Sequence, residues 1–233
     1  MEIIYYVNKG KVRENNEDGV LIDDILVTAS MKEPEKIKGN FKKIIVSDGM
    51  GGLDNGEVAT KILLETFKTS ELKTEEDVKN TVFKSAGNFL ENSGCAMAGI
   101  SFEGNLAFNV GDCRVYKQVD IFLNRLTKDH SLAEQLIDMG KLSEDDIIEY
   151  EKKNVLTSAV MKNKDINIYV KKIKIKKNDI FLVCSDGLWG EFGLDELEEC
   201  FNNNDIEKIV VNILDSLKDK KVKDNISFVI IKV

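Results

Sequence analysis

The residues best placed for chemistry in this sequence are acids that follow short apolar runs. The run at 43–46 leads to a Ser-Asp-Gly triplet around Asp48, and the run at 180–184 leads to the same triplet around Asp186. A looser version ends at Asp112. Such runs are typical of buried strands, and the glycine after the acid lets the backbone approach a ligand closely. We therefore expect three strand ends to converge on one polyvalent cation site.

Three more acids share this setting, because Glu17, Asp18 and Asp224 also flank predicted strands. A set of oxygen ligands without imidazole or thiolate suits hard cations, which favours Mg²⁺ or Mn²⁺ over Zn²⁺. Residue types alone leave a second interpretation open, since Asp-Gly is also a common turn pair without a ligand. The two interpretations have equal weight at this point.

Length and charge narrow the class of protein. The 233 residues fit one domain spanning 1–233, and the formal net charge of −8 argues against a nucleic-acid binder. The N-terminus has no basic region followed by an apolar core, and no apolar run reaches bilayer length. We therefore expect a cytoplasmic protein without a membrane span.

The sequence lacks the residues that several other classes of hydrolase need. The four cysteines are scattered, without a Cys-x-x-Cys pair and without an arginine placed for a phosphate loop. The sequence has no Gly-x-Ser-x-Gly and no Walker-type loop. A single histidine, His130, restricts imidazole chemistry, and we expect it to have a structural hydrogen-bonding role.

Helical and strand periodicities alternate along the chain. Apolar residues keep helical spacing at 59–67, 78–90 and 206–217, and Thr74 is placed to cap the second of these segments. Short strands separated by tight turns fill 94–119, which predicts an antiparallel meander. Antiparallel sheets covered by helices follow from this order of elements.

The sequence predicts a strand and a flap in two later segments. Ile173 and Ile175 alternate with lysines, the pattern of a half-exposed strand. The segment at about 131–155 predicts short helical pieces inserted between strands, and such an insertion is a candidate flap over a site.

Seven motifs together resemble the metal-dependent type 2C (PPM) family of protein serine/threonine phosphatases, and in particular its compact bacterial members. They occur in the family's order along nearly the whole chain. The motifs are Gly10-x-x-Arg13-x-x-Asn16-Glu17-Asp18, Val46-Ser47-Asp48-Gly49-Met50-Gly51-Gly52, Val110-Gly111-Asp112-Cys113-Arg114-Val115-Tyr116, Leu126-Thr127-Lys128-Asp129-His130-Ser131, Asn154-Val155-Leu156-Thr157, Ser185-Asp186-Gly187-Leu188-Trp189 and Asp224-Asn225-Ile226-Ser227.

The resemblance implies an α+β, four-layer αββα sandwich with two central antiparallel sheets and a dinuclear Mn²⁺/Mg²⁺ centre at one end. It implies that Asp48 bridges the two ions and that Asp186 serves one of them. It further implies that the Glu17 carboxylate and the Gly49 carbonyl bind the other ion and that Asp224 binds the same ion as Asp186. By the same resemblance, Asp18 holds metal-bound water, Asp112 binds a third ion together with Asp186, and Arg13 binds the substrate phosphate.

The activity implied by the resemblance is hydrolysis of phosphoserine and phosphothreonine in signalling proteins by direct attack of a metal-bridging hydroxide. Arg13 can clamp two phosphate oxygens through its planar fork; its other interpretation is a salt bridge to Glu14 or Glu17. The implied partners are phosphorylated substrates of a eukaryotic-like serine/threonine kinase, and we expect a monomer. A pseudophosphatase that binds phosphoproteins without hydrolysis and a phosphatase of small phosphomonoesters stay open as alternatives.

One departure from the family pattern bears on catalysis. Many eukaryotic relatives carry a histidine directly after the Asp-Gly pair, proposed as the general acid, and this chain has Met50 there. Metal-bound water or the flap would then have to protonate the leaving group.

Overall fold

Two antiparallel sheets lie face to face in the computed structural model, which describes residues 1–50 and 55–233. The strands are β1 (Glu2–Asn8), β2 (Asp18–Ile22), β3 (Ile25–Val27), β4 (Glu35–Lys38), β5 (Lys43–Gly49), β6 (Gly94–Ser101), β7 (Leu106–Val110), β8 (Arg114–Val119), β9 (Phe122–Arg125), β10 (Val160–Met161), β11 (Tyr169–Lys172), β12 (Ile180–Cys184) and β13 (Ile226–Lys232). The first sheet has the order β4-β1-β13-β12-β8-β9, and the second has the order β11-β7-β6-β5-β2-β3, with β10 paired to β6.

Helices cover the outer face of each sheet. They are α1 (Gly56–Lys68), α2 (Glu75–Gly87), α3 (Leu132–Asp138), α4 (Asp186–Trp189), α5 (Leu194–Cys200) and α6 (Ile206–Lys218), with a 3₁₀ turn at Asp145–Ile147. Helices α1 and α2 pack on the second sheet, and α5 and α6 pack on the first. A third apolar cluster fills the space between the sheets. The layers therefore run helix, sheet, sheet, helix.

The helix ends follow from local sequence. Thr74 accepts a hydrogen bond from Asp77 N, and the Asp77 side chain accepts one from Thr74 N, a reciprocal pair that starts α2. The apolar stripe of α6 is buried against the first sheet at Ile209 and Ile213. These two helices confirm the predictions from periodicity.

The predicted strand at 173–175 is wrong. The strand lies just before it, as β11, which ends at Lys172; Ile173 continues the pairing only by a bond from its N–H to the Asn105 oxygen (2.9 Å). Both isoleucines still pack on the cluster between the sheets, because alternate residues of any extended segment face one side. The alternation of isoleucine and lysine thus correctly predicted which side chains are partly buried, but it did not locate the strand.

The predicted meander is divided between the two sheets. Strands β6 and β7 belong to the second sheet, whereas β8 and β9 belong to the first. The chain crosses over at Gly111–Cys113, so Asp112 lies where the two sheets meet.

Lysines are exposed on two edge strands. Lys36 and Lys38 lie on β4 at one edge of the first sheet, and Lys171 and Lys172 lie on β11 at one edge of the second. Within the described ranges, no helix has the length and apolar character that crossing a membrane requires.

Candidate active site

Most of the predicted site residues line one cleft of about 500 Å³ at the end of the sandwich. Those on its wall are Arg13, Asp48, Gly49, Asp112, Asp186 and Asp224. They come from both sheets and from the crossover between them, as expected for converging strand ends. Glu17 and Asp18 do not line the cleft. Gly51 and Gly52 of the predicted motif lie outside the described residues.

Strand register brings the first acids together. Asp18 in β2 is directly opposite Asp48 in β5, and Asp48 is also opposite Ala96 in β6. Asp186 begins α4 directly after β12 of the other sheet. Beyond the effect of burial, the Asp186 carboxylate is near enough to Asp48 for its charge to raise the pKa of Asp48.

The electrostatics of the cleft are those of crowded acids. Desolvation raises the pKa of Asp48 well above its ordinary value, and the charges of Asp18, Asp186 and Asp112 raise it further. Burial likewise raises the pKa of Asp112 and of Asp18, in each case with a contribution from Asp186. Carboxylates packed in this way favour a compensating cation.

An asparagine attaches the Arg13 loop to the last acid. The buried Asn225 side chain donates hydrogen bonds to the backbone oxygens of Lys9 (3.0 Å) and Asn15 (2.9 Å) and accepts one from Glu17 N (2.8 Å). Asp224 is therefore held beside this loop, although the two segments lie more than 200 residues apart in the sequence.

Two glycines make this contact close. Gly10 has φ +74°, and a Cβ there would lie 2.2 Å from the Asp224 oxygen. A Cβ on Gly187 would lie 1.7 Å from the Asn225 oxygen. Only residues without a Cβ allow these segments to approach, so glycine at both positions is what brings Asp186 and Asp224 to one cleft.

Arg13 has a different partner from either glutamate that the sequence suggested. Its Nη2 donates to Asp224 Oδ2 at 2.8 Å, while its side chain stays 45% exposed. The guanidinium group therefore lies at the mouth of the cleft, attached to one of its acids. A phosphate entering the cleft would meet this cation first.

The loop that carries Asp112 is held from two sides. Trp189 donates its indole N–H to the Asp112 backbone oxygen (2.8 Å). On the other side, the backbone N–H of Gly111 donates to the ring Nδ1 of His130 (3.1 Å). The backbone N–H of His130 donates in turn to the backbone oxygen of Gly111 (2.8 Å). His130 thus has the hydrogen-bonding role that we expected.

His130 is expected to make the fold sensitive to mild acid. Burial lowers its pKa, and protonation of Nδ1 would break the bond from Gly111. The stability that depends on neutral His130 is complete above its unfolded pKa of about 6.5 and is lost as pH falls through the lower folded pKa. For this half-buried group we expect about 0.5–1 kcal/mol. Urea unfolding near pH 7 and near pH 5 should show a smaller decrease in His130→Gln than in the native chain, and equal decreases would contradict this account.

The two acids outside the cleft wall lie directly beside it. The Glu17 carboxylate lies against Gly56 at the start of α1, and its backbone oxygen accepts a hydrogen bond from Gly49 N (3.1 Å). Asp18 is buried beneath the cleft, 1% exposed. Across 1–50 and 55–233, no three acid, imidazole or thiol groups are drawn into a preformed ligand cluster.

The donor set nevertheless fits a hard cation. Every predicted ligand is an oxygen, and two of their oxygens, Asp18 Oδ1 and Asp186 Oδ1, are buried without a hydrogen-bond partner. Buried polar atoms normally have partners, so these two oxygens are suited to accept a cation. The carboxylates of the described residues repel one another, which explains why they do not form a tight cluster.

The predicted flap reaches the rim of the cleft. Its last residues pair with the His130 segment through Leu132 N to the Val155 oxygen and Thr157 N to the His130 oxygen, both at 2.8 Å. Asn154 and Leu156 line the cleft. The segment that holds the Asp112 loop therefore also carries the flap.

A larger cavity of about 740 Å³ contains none of the predicted acids. It lies between β8, β9 and the flap, and Arg114 and Trp189 are among its lining residues. We place the site at the smaller cleft because four of the predicted aspartates line it, among them Asp186 with its partnerless Oδ1.

Sequence reasoning missed three residues that organise the site. Asn225 was noted as a neighbour of Asp224 without a role, and Ser185 and Ser227 were seen only as parts of motifs. All three are buried. Asparagine and serine are so common in turns that the sequence carries no signal for burial at these positions.

No model of a known protein family matches the chain. Among curated proteins, the serine/threonine phosphatase stp of Listeria monocytogenes is 28% identical over 220 residues, which cover 85% of this chain and 82% of that protein. The solved structure of the PPM Ser-Thr phosphatase MsPP from Mycobacterium smegmatis, in complex with cacodylate, matches with a TM-score of 0.79 and 23% identity, covering 99% of this chain and 97% of that one. The catalytic domain of PstP, in complex with two manganese ions, matches with a TM-score of 0.74 and 20% identity over 99% and 98%.

These comparisons confirm two predictions. The solved structures confirm the sandwich of two antiparallel sheets between helices. The curated relatives, named as serine/threonine phosphatases, confirm the predicted resemblance and the predicted enzyme class. In sequence and in fold, the chain is therefore similar to serine/threonine phosphatases, among them one of the PPM type.

Proposed function

We propose that this chain hydrolyses phosphoserine and phosphothreonine in proteins with the help of Mn²⁺ or Mg²⁺. The observation that carries the proposal is the cleft itself, where four aspartates from two sheets and their crossover face one exposed arginine. Relatives named as serine/threonine phosphatases support the same reaction.

The cations would be held by the predicted oxygens. Asp48 would help to hold both cations, Glu17 and the Gly49 carbonyl would help to hold one of them, and Asp186 and Asp224 would help to hold the other. We further assign Asp18 to metal-bound water and Asp112 to a third ion beside Asp186. Bound cations would neutralise the phosphoryl oxygens and lower the pKa of the attacking water, which allows direct hydrolysis without a phosphoenzyme.

Arg13 would orient the substrate. Its planar guanidinium group can form two parallel hydrogen bonds to one phosphate, and the present bond to Asp224 holds it at the mouth of the cleft. The phosphate would take the place of the Asp224 carboxylate, which would leave that carboxylate free for a cation.

The proton for the leaving alkoxide has no imidazole source in the cleft. Met50 lines the cleft where a histidine stands in many eukaryotic relatives, and the Nδ1 of His130 is occupied by Gly111. The flap contributes Asn154, an amide that does not titrate. We therefore assign this proton to water.

The two alternatives have less support. A pseudophosphatase is expected to have lost ligands, whereas every predicted acid is present at or beside the cleft. A phosphatase of small phosphomonoesters would need contacts with the rest of a metabolite, and in the described residues the wall is mainly acids, one arginine and apolar side chains. Phosphorylated substrates of a serine/threonine kinase, action as a monomer and a cytoplasmic location complete the proposal.

The test is phosphate release from a phosphothreonine peptide. We expect release by the native chain with Mn²⁺, none after chelation, and at least about a 100-fold loss in Asp186→Asn, since one transition-state interaction is commonly worth several kcal/mol. Glu65→Gln, on the outer side of α1, is the matched control for loss of one negative charge.

The outcomes separate the three functions. Peptide binding without release at any Mn²⁺ concentration would favour the pseudophosphatase. Faster release from small phosphomonoesters than from phosphopeptides would favour the metabolite phosphatase. Metal-independent release, unchanged in Asp186→Asn, would contradict the proposed site.

A further inference from the structure

Two buried serines contact a single oxygen of Asp18. Ser185 Oγ lies 2.8 Å and Ser227 Oγ 2.6 Å from Asp18 Oδ2. Both serines are fully buried, and Asp18 is 1% exposed. The other oxygen of the same carboxylate, Oδ1, has no hydrogen-bond partner.

The hydrogens can be assigned because each hydroxyl has only one to donate. Ser227 N lies 3.1 Å from Ser185 Oγ, and an N–H can only donate, so Ser185 accepts there. Ser185 can therefore donate its hydroxyl hydrogen to Asp18 Oδ2. Ser227 donates its hydroxyl hydrogen to the same oxygen, which is its shortest contact. Oδ2 is thereby saturated, and Oδ1 is left to bind something else.

The contact also joins the two sheets. Asp18 begins β2 of the second sheet, whereas Ser185 follows β12 and Ser227 lies in β13 of the first. Asp18 is opposite Asp48 in the strand register, and Ser185 precedes Asp186. The serine pair therefore connects the acids of one sheet with those of the other.

We infer that Ser185 and Ser227 are positioning residues that hold Asp18 by one oxygen, so that the other is presented to the water of the metal site and the acids of the two sheets stay at a fixed separation. This inference rests on the proposed function, since it assigns Asp18 to the metal site. Partners that orient a ligand are commonly worth about 10–100-fold in metal affinity.

The test measures Mn²⁺ binding to the intact chain by calorimetry without substrate. We expect the dissociation constant to rise about 10–100-fold in Ser227→Ala and in Ser185→Ala. Ser227→Thr keeps a hydroxyl and should restore most of the affinity. Urea unfolding of each variant shows whether it is folded.

Ser47→Ala is the matched control. Ser47 is fully buried and immediately precedes Asp48, but its hydroxyl contacts Thr60 Oγ1 and the Ala96 oxygen, both at 3.2 Å. Successive side chains of a strand face opposite sides, so its loss should leave Mn²⁺ affinity within about threefold.

Each outcome separates the inference from the proposed function. Folded alanine variants that bind Mn²⁺ as tightly as the native chain would overturn the inference and leave the proposed function intact. A Ser47→Ala loss as large as the others would also overturn it, because any buried hydroxyl would then matter equally. A native chain that binds no Mn²⁺ would overturn both.

Discussion

Replacing Arg114 by methionine is expected to lower the free energy of unfolding by about 3–5 kcal/mol, because the buried Asp129 carboxylate loses its hydrogen-bonded cation and keeps only Arg125, whose Nη1 is 3.5 Å away. The Arg114 side chain is 8% exposed, and that of Asp129 is fully buried. Nε and Nη2 of Arg114 both donate to Asp129, the shortest contact being 2.6 Å, and Nη1 donates to the Tyr116 hydroxyl at 2.9 Å.

The same guanidinium group supports the candidate site. It stacks on the Trp189 ring at 3.4 Å from the ring centroid, and Trp189 in turn holds the Asp112 backbone oxygen. Loss of Arg114 should therefore also shift Asp112, beyond its effect on Asp129.

Urea unfolding of two further variants checks this account. Lys218→Met removes one partner of an exposed pair with Asp215 and should cost no more than about 1 kcal/mol. The double variant Arg114→Met, Asp129→Leu should regain much of the loss, because replacing both partners of a buried pair is often nearly neutral. A loss below about 1 kcal/mol in Arg114→Met alone would contradict the prediction.

Asp48→Asn is expected to lower phosphate release by about 1,000-fold or more, the equivalent of about 4 kcal/mol of lost transition-state stabilisation. Asp48 is the acid proposed to help to hold both cations, and it is at the centre of the crowded carboxylates. The amide keeps the shape of the side chain and removes its charge.

The same substitution should stabilise the metal-free fold. The folded pKa of Asp48 is raised, so its contribution to stability is present below its unfolded pKa of about 3.9 and is lost as pH rises through the folded pKa. Near neutral pH the uncharged amide avoids this cost. We expect a gain on the order of 1 kcal/mol, and therefore a rise in melting temperature of about 2–4 °C.

Thermal unfolding in the presence of a chelator and with added Mn²⁺ separates the two effects. The native chain should gain stability from Mn²⁺, and Asp48→Asn should gain much less. Asp215→Asn, an exposed acid on α6, controls for net charge. A metal-free Asp48→Asn that melts below the native chain would contradict the like-charge account.

Periodicity predicted the helices and most of the strands, because each of these elements follows a local rule, whereas the four layers were implied by the resemblance. Apolar residues at helical spacing located α1, α2 and α6. The crossover at Asp112 was not predicted, since hairpin signals show which strands are consecutive but not that a pair divides between two sheets. The extended segment at 173–175 was taken for a strand because any extended segment shows the same alternation of buried and exposed residues.

The site was predictable where chemistry coincides with a strand end. Asp48, Asp112, Asp186 and Asp224 could be found in this way, and the motifs added Arg13. The partner of Arg13 could not be found, because its contact spans 211 residues of sequence and the nearby glutamates were the obvious local choice.

The lysines on the edge strands bear on how the protein avoids associating with itself. An open sheet ends in a row of unpaired backbone groups, a template on which a second copy can add a strand. The two lysines of β4 are paired with Glu2 and Glu207, whereas on β11 Lys171 and Lys172 are exposed, so a second copy adding to β11 would bring like charges together. Charge repulsion at this edge opposes the addition of a second copy there, and acetylation or high ionic strength would weaken that opposition.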